Sequence, residues 1–177
     1  HSAVLGHVDG TTSYRNVERF PEAHTVDGIR IVRIDAALSF ANATNVKKLV
    51  VEHAESVTDD PRALVLDASG INDLDATGAE MLHELLVEVA DRDVALHLAN
   101  VKGPVRDVLR NAGIWDEMAG RIHTSTDDAV AAITERQQAP SDQRRHGIDE
   151  RSPDEAGPHD PAADPAASNS PVEPTHV

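Results

Sequence analysis

The sequence predicts an α/β domain built on a central sheet. Three short apolar segments, Ile29–Ile34, Ala63–Asp67 and residues 94–98, have the length and the aliphatic content of strands. Amphipathic segments, with apolar side chains at three- and four-residue spacing, separate them. Strands that alternate with helices along a chain indicate a sheet with helices packed against it.

The first strand leads into a helix. Residues 38–40 are interpreted as a short continuation of the strand beyond a turn, and either Asn42 or Thr44 can cap the helix that follows. One face of this predicted helix is apolar, whereas lysines and glutamates occupy the other. The apolar face consists of Val46, Leu49, Val50, His53, Ala54 and Val57.

The second strand ends in a loop that gathers hydroxyls and carboxylates. Its wholly apolar residues suit a strand buried on both faces. A helix over residues 75–91 follows, with Glu80, Glu84 and Glu88 on its outer face. Because sites in open parallel sheets lie at the carboxyl ends of the strands, this loop is the candidate site. The candidate residues are Asp67, Ser69, Gly70, Asp75, Thr77 and Gly78.

The third strand precedes two further helices. Gly103 and a proline open the first of these, and Gly113 is placed to end it as a C-cap. Ser125 or Thr126 begins the last helix. The predicted order is therefore strand, helix, strand, helix, strand, helix, helix.

Thr77 supports two interpretations. A hydroxyl at a helix N-terminus can accept a phosphoryl group, whose charge the free N–H groups and the helix dipole stabilise. Alternatively, Asp75 or Thr77 is an N-cap, and Thr77 forms a capping box with Glu80. The two roles do not exclude each other.

Ser69 is, after Thr77, the second candidate in the loop for a regulatory residue and phosphoacceptor. Asp67 and Ser69 are expected to order the turn through bonds to backbone N–H groups, with Gly70 free to adopt a positive φ. Ser69 lacks the flanking glycines of a hydrolase nucleophile elbow, so no catalytic role is expected.

Composition excludes several classes of function. The net charge of −15 disfavours a nucleic-acid binder, because the field would repel phosphate. The chain has no cysteine, its ten histidines show no zinc-ligand spacing, and it contains no P-loop. We therefore expect no metal site and no tightly bound cofactor.

The two ends of the chain differ in composition from its centre. Residues 1–11 are interpreted as a flexible linker and residues 12–138 as one domain. Residues 139–177 are acidic and rich in proline and alanine, which predicts a disordered tail.

The passage from Leu64 to Ala79 resembles the STAS domain, the module shared by sulfate transporters and anti-sigma factor antagonists. Residues 14–23 and 31–42 resemble the SulP transporter branch of that family. The resemblance implies a four- or five-stranded mixed sheet with about four helices largely on one side. It also implies a regulatory, non-enzymatic domain on the cytoplasmic face of the cell membrane, at the C-terminal end of an anion transporter, with sulfate the expected anion.

The resemblance further implies the partners and the regulated residue. Expected partners are the transmembrane domain of the same transporter, a second copy of the domain and a weakly bound guanine nucleotide, GTP or GDP. Thr77 matches the position that anti-sigma antagonists phosphorylate, although Ala76 replaces the hydroxyl residue often found beside it. The alternative is a free anti-sigma factor antagonist switched by phosphorylation at Thr77.

Overall fold

The computed structural model describes residues 2–139 and contains a mixed sheet flanked by helices on both faces. The α/β class and the mixed sheet agree with the prediction from sequence. Residues 140–177, which include nearly all of the predicted disordered tail, lie outside the described residues.

In the described part of the chain the sheet has seven strands, more than the four or five expected. Their order across the sheet is β2-β1-β4-β5-β6-β7, and β3 also pairs with β1. β1 is antiparallel to β2, β3 and β4, whereas β4 to β7 run parallel. The strands are β1 Ser2–Val8, β2 Tyr14–Asn16, β3 Ala23–His24, β4 Ile29–Ile34, β5 Ala63–Asp67, β6 Ala95–Ala99 and β7 Ile122–His123.

The N-terminal segment corrects the expectation of a flexible linker over residues 1–11. Ser2–Val8 forms β1, which lies inside the sheet and pairs with β4 from Ser2 opposite Ile34 to Leu5 opposite Ile31. Leu5 is buried in this pairing. The segment is ordered because its backbone groups are satisfied by neighbouring strands, a condition that its own composition does not reveal.

Within residues 2–139, five helices pack on the sheet. They are α1 Ala43–Glu55, α2 Ala76–Ala90, α3 Gly103–Asn111, α4 Ile114–Glu117 and α5 Thr126–Gln138, and a 3₁₀ turn spans Ala68–Gly70. None of the helices in residues 2–139 is both long enough and apolar enough to cross a membrane.

Alternate side chains of the central strands pack into two separate hydrophobic cores, one on each face of the sheet. Leu64 and Leu66 pack beneath α1 to α4, whereas Ala63 and Val65 pack beneath α5. This alternation follows from the two-residue period of a strand. Among the helices of residues 2–139, four therefore lie on one face and α5 lies on the other, in agreement with helices packed largely on one side.

Candidate functional site

Three parallel strands end at one edge of the sheet, which we call the carboxyl edge. Asp67 is the last residue of β5, Asn100 follows the end of β6, and Thr126 begins α5 after β7. The loop from Ala68 to Asp75 crosses this edge before α2 begins. The predicted candidate residues therefore lie where an open parallel sheet places its sites.

Asp67 is the centre of a buried polar network at this edge. Asp67 is only 5% exposed. Oδ1 accepts hydrogen bonds from the Ser69 backbone N–H at 2.8 Å and from Asn100 Nδ2 at 3.2 Å. Oδ2 accepts from the Thr126 hydroxyl at 3.2 Å, and that hydroxyl accepts from Asn100 Nδ2 at 3.1 Å. The carboxylate thus joins three segments that are distant in sequence.

Asn100 and Thr126 as partners of Asp67 were missed by reasoning from sequence. A usable signal existed, because Asn100 directly follows a buried strand and Thr126 is the first residue of a helix. Asn100 also has a left-handed backbone, with φ of 58°, which asparagine tolerates better than most residues. That backbone conformation belongs to the turn in which its amide reaches Asp67 and Thr126.

The 3₁₀ turn after β5 is shaped by Ser69 and Gly70. The bond from the Ser69 N–H to Asp67 confirms that these two residues order the turn. Gly70 does not adopt a positive φ, so that expectation is wrong. Glycine is needed here because a Cβ would overlap the backbone of Ile34 and the side chain of Asp35 in the adjoining loop.

Asp75, and not Thr77, is the N-cap of α2. Its Oδ1 accepts from the Gly78 N–H at 2.8 Å. Its Oδ2 accepts from the Phe40 N–H at 3.0 Å, which ties the loop before α1 to the start of α2. Within residues 2–139 no hydrogen bond joins Thr77 to Glu80, so the capping box is also wrong. A Thr77 cap would need the N–H of Ala79 or Glu80, and the Ala79 N–H already donates to the Asp75 carbonyl at 2.9 Å inside the helix.

Thr77 is the second residue of α2 and is exposed. Its hydroxyl forms no hydrogen bond with any of residues 2–139. Gly78, one residue further, is buried against the Leu38 backbone, where a Cβ would stand 2.6 Å from the Leu38 carbonyl oxygen. Leu38 forms an isolated parallel bridge with Leu74 instead of extending β4. The exposed Thr77 hydroxyl therefore lies beside backbone that is tightly packed at Gly78.

The structure divides the predicted residues into two groups. The first group, Asp67, Ser69 and Gly70, forms and stabilises the 3₁₀ turn. The second group, Asp75 and Gly78, fixes the start of α2 and thereby positions the exposed Thr77. Contact of either group with a nucleotide or a partner stays a prediction. Within residues 2–139 no cluster of three or more histidines or carboxylates is arranged to hold a metal ion.

A polar groove of about 440 Å³ opens beside the Asp67 network. Tyr14 and Asp127 line it, and the Tyr14 hydroxyl donates to Asp127 Oδ1 at 3.5 Å. Burial first, and then the Asp127 carboxylate, raises the pKa of Tyr14 to about 12. With Asp67 and Asp127 both in its walls, this groove does not favour anions.

The acidic face of α2 is partly neutralised by α1. Lys47 Nζ lies 2.8 Å from a Glu84 carboxylate oxygen and 3.1 Å from one of Glu88. Hydrogen bonds to these two carboxylates raise the pKa of Lys47. Glu84 and Glu88 lie four residues apart on α2 and repel each other, and this cation from the neighbouring helix offsets that repulsion.

Sequence relatives of the chain are sulfate transporters. It is 35% identical over 130 residues to sulfate transporter 4.1, chloroplastic, of Arabidopsis thaliana, which covers 68% of the chain and 19% of that protein. It is 32% identical over 140 residues to high affinity sulfate transporter 2 of Stylosanthes hamata, covering 73% of the chain and 21% of that protein. The chain therefore spans about a fifth of the length of these relatives.

Solved structures from two functional classes share the fold. The murine Slc26a9 anion transporter superposes with a TM-score of 0.68 at 24% identity, covering 76% of this chain and 22% of that one. The anti-sigma factor antagonist SpoIIAA superposes with a TM-score of 0.51 at 11% identity, covering 63% of this chain and 93% of that one. The family model described as the STAS domain matches residues 20–129. The chain belongs to the STAS domain family.

Proposed function

We propose that this chain is the cytoplasmic regulatory domain of a SulP-type anion transporter, with sulfate as the transported anion. The alignment with sulfate transporters over about two thirds of the chain is the observation that carries the proposal. In this proposal the domain catalyses no reaction. It regulates transport through contact with the transmembrane domain of the same protein and with a second copy of itself.

An exposed patch at the start of α2 supports a role in protein contact. We define the contact patch as Phe40, Ala76 and Thr77, all of which are exposed. Phe40 is 79% exposed, unusual for a large apolar side chain. Its backbone N–H is bonded to Asp75, so the aromatic ring and the Thr77 hydroxyl are displayed on one rigid base.

The carboxylates of the carboxyl edge support a role without catalysis. Both oxygens of Asp75 accept hydrogen bonds that hold backbone in place. Both oxygens of Asp67 are likewise occupied within a buried network. A carboxylate committed to such bonds is poorly placed to remove a proton from a substrate.

Guanine-nucleotide binding at the loop from Asp67 to Gly78 belongs to the same proposal. Amide NMR of the chain, titrated with GTP and with GDP, tests it directly. We expect small, saturable shifts among residues 67–80. If these amides stay unmoved at millimolar nucleotide, the loop has no nucleotide role.

An anti-sigma antagonist function is the second candidate, because Thr77 is exposed with a free hydroxyl at a helix start. A phosphate there would add charge next to the positive end of α2. Translation of the gene upstream of His1 separates the two candidates. About ten apolar spans support the transporter, and their absence supports the antagonist.

Sulfate uptake by the full-length protein tests the contact patch. We expect the double substitution Phe40→Ser and Thr77→Glu to change uptake severalfold at an unchanged amount of protein in the membrane. Val87→Ser is the matched control, because Val87 is 55% exposed on the same helix but outside the contact patch. Unchanged uptake in the double variant contradicts the role of the patch, and unchanged uptake after removal of the whole domain contradicts regulation.

A further inference from the structure

A second groove, of about 480 Å³, brings three arginines together on the β2 side of the sheet. Arg15 belongs to β2, Arg19 to the turn that follows it, and Arg33 to β4. We call this the arginine groove. Ser13 and Asn16 also line it, so hydroxyl and amide groups accompany the guanidinium groups.

Two of the three guanidinium groups are held in place by neighbours. Arg33 donates to both oxygens of Asp35, from Nε at 2.7 Å and from a terminal nitrogen at 2.9 Å. The Arg15 guanidinium lies 4.7 Å from the centre of the Phe20 ring. Holding a guanidinium before a ligand arrives reduces the entropy that binding must overcome.

Arg19 is the third cation and the least constrained. Its side chain is exposed and forms no ion pair within residues 2–139. It lines the same groove as Arg33, and its charge adds a small contribution to the larger one by which Arg33 lowers the pKa of the Asp35 carboxyl. The groove therefore combines three guanidinium charges with one carboxylate and is locally positive.

The local charge of the groove is opposite to that of the whole chain. Acidic residues outnumber basic ones by 31 to 16, and the neighbouring groove beside Tyr14 is lined by Asp67 and Asp127. At physiological salt, charges more than about 8 Å apart are largely screened. Short-range contacts in the arginine groove therefore decide whether an anion binds there.

Hydrogen-bonding groups beside the arginines suit a tetrahedral oxyanion. The Asn16 side-chain oxygen accepts from the Glu18 N–H at 2.8 Å, which leaves its amide nitrogen to donate. The Ser13 hydroxyl adds a further donor at the rim. Planar guanidinium groups match phosphate and sulfate oxygens in pairs, as an ammonium group does not.

We propose that the arginine groove binds a phosphate or sulfate group through Arg15, Arg19 and Arg33. The group is carried either by a free ion or by the headgroup of an anionic lipid, since both present the same oxygens. The site does not depend on the transporter assignment. It is also separate from the loop between Asp67 and Gly78.

NMR of the arginine Nε–H groups in the 177-residue chain tests binding of the free ions. Sodium phosphate and sodium sulfate are added at constant ionic strength, with sodium chloride as the reference. We expect saturable shifts of the Arg15, Arg19 and Arg33 signals, and about tenfold weaker binding in Arg19→Gln. Arg106→Gln is the matched control, because it removes the same charge from α3, outside the groove.

Flotation with vesicles tests the lipid source. Phosphatidylcholine vesicles with and without phosphatidylglycerol are compared for the wild-type chain, Arg19→Gln and Arg106→Gln. Binding that needs phosphatidylglycerol and Arg19 but not Arg106 supports the site with a lipid headgroup as ligand, even where free ions cause no shift. The proposal is overturned if neither arm shows binding, or if Arg106→Gln weakens binding as much as Arg19→Gln.

Discussion

Replacing Thr126 by valine tests whether the buried network around Asp67 stabilises the domain. Thr126 is 4% exposed, and its hydroxyl donates to Asp67 Oδ2 at 3.2 Å while it accepts from Asn100. Valine has nearly the same shape as threonine, so the substitution opens no cavity. It removes the one hydrogen bond that Oδ2 receives from residues 2–139, and leaves that oxygen buried.

The expected loss follows from the asymmetry of buried hydrogen bonds. A made bond contributes about 1 kcal/mol, whereas a buried acceptor left without its partner costs about 1–3 kcal/mol, and more when charged. Asp67 Oδ1 keeps its hydrogen bonds to Ser69 and Asn100, which limits the loss of stability. We therefore expect Thr126→Val to lower the free energy of unfolding by about 2 kcal/mol.

Urea unfolding at pH 7, followed by far-UV circular dichroism, measures this loss. Thr134→Val is the matched control on the same helix, because among residues 2–139 the Thr134 hydroxyl bonds only to the Val130 carbonyl of α5. That bond is local and half-buried, so its loss should change stability by no more than about 0.5 kcal/mol. Equal stability of Thr126→Val and the wild type, or an equal loss in Thr134→Val, refutes the reasoning.

Three further predictions concern a buried histidine, a close glycine and a helix cap. Burial, and then nearby positive charge, lowers the pKa of His97 to about 4. The free energy of unfolding should therefore be highest above pH 6.5 and fall by roughly 2–3 kcal/mol as the pH drops toward 4, because the unfolded chain takes up the proton first. Thermal unfolding of His97→Gln over the same pH range should show a smaller decrease. Gly78→Ala should cost about 1–3 kcal/mol in urea unfolding because its Cβ meets the Leu38 carbonyl, whereas Gly103→Ala, with 3.9 Å to the nearest atom, should be neutral. Asp75→Ala loses two hydrogen bonds and should cost about 2 kcal/mol by the same assay; no loss contradicts its capping role.

The elements that sequence reasoning placed well are those with a strong local pattern. β4 and β5 match their predicted bounds, and α2 spans Ala76–Ala90 inside the predicted 75–91. Continuous apolar runs and a regular helical period identify such segments without any knowledge of their neighbours. Gly113 was also placed correctly, since its left-handed backbone, with φ of 76°, follows α3.

β1 was missed because its order depends on its neighbours. The segment Ser2–Val8 includes Gly6 and two polar residues, a composition that is weak for a strand. Gly6 is nevertheless suited to its place, since a Cβ there would stand 2.7 Å from the His24 backbone of β3. The pairing of β1 with β4 joins residues about thirty positions apart, so a local sequence pattern cannot predict it.

By itself, the sequence determined the α/β class, the main helices and strands, the family, and the loop in which hydroxyls and carboxylates gather. Only the tertiary structure decided what each of these side chains does. Asp75 is the cap and Thr77 the exposed hydroxyl, while Asp67 is buried against Thr126, 59 residues further along the chain. Local patterns record propensity and periodicity, whereas burial and hydrogen-bond partners depend on segments that only folding brings together.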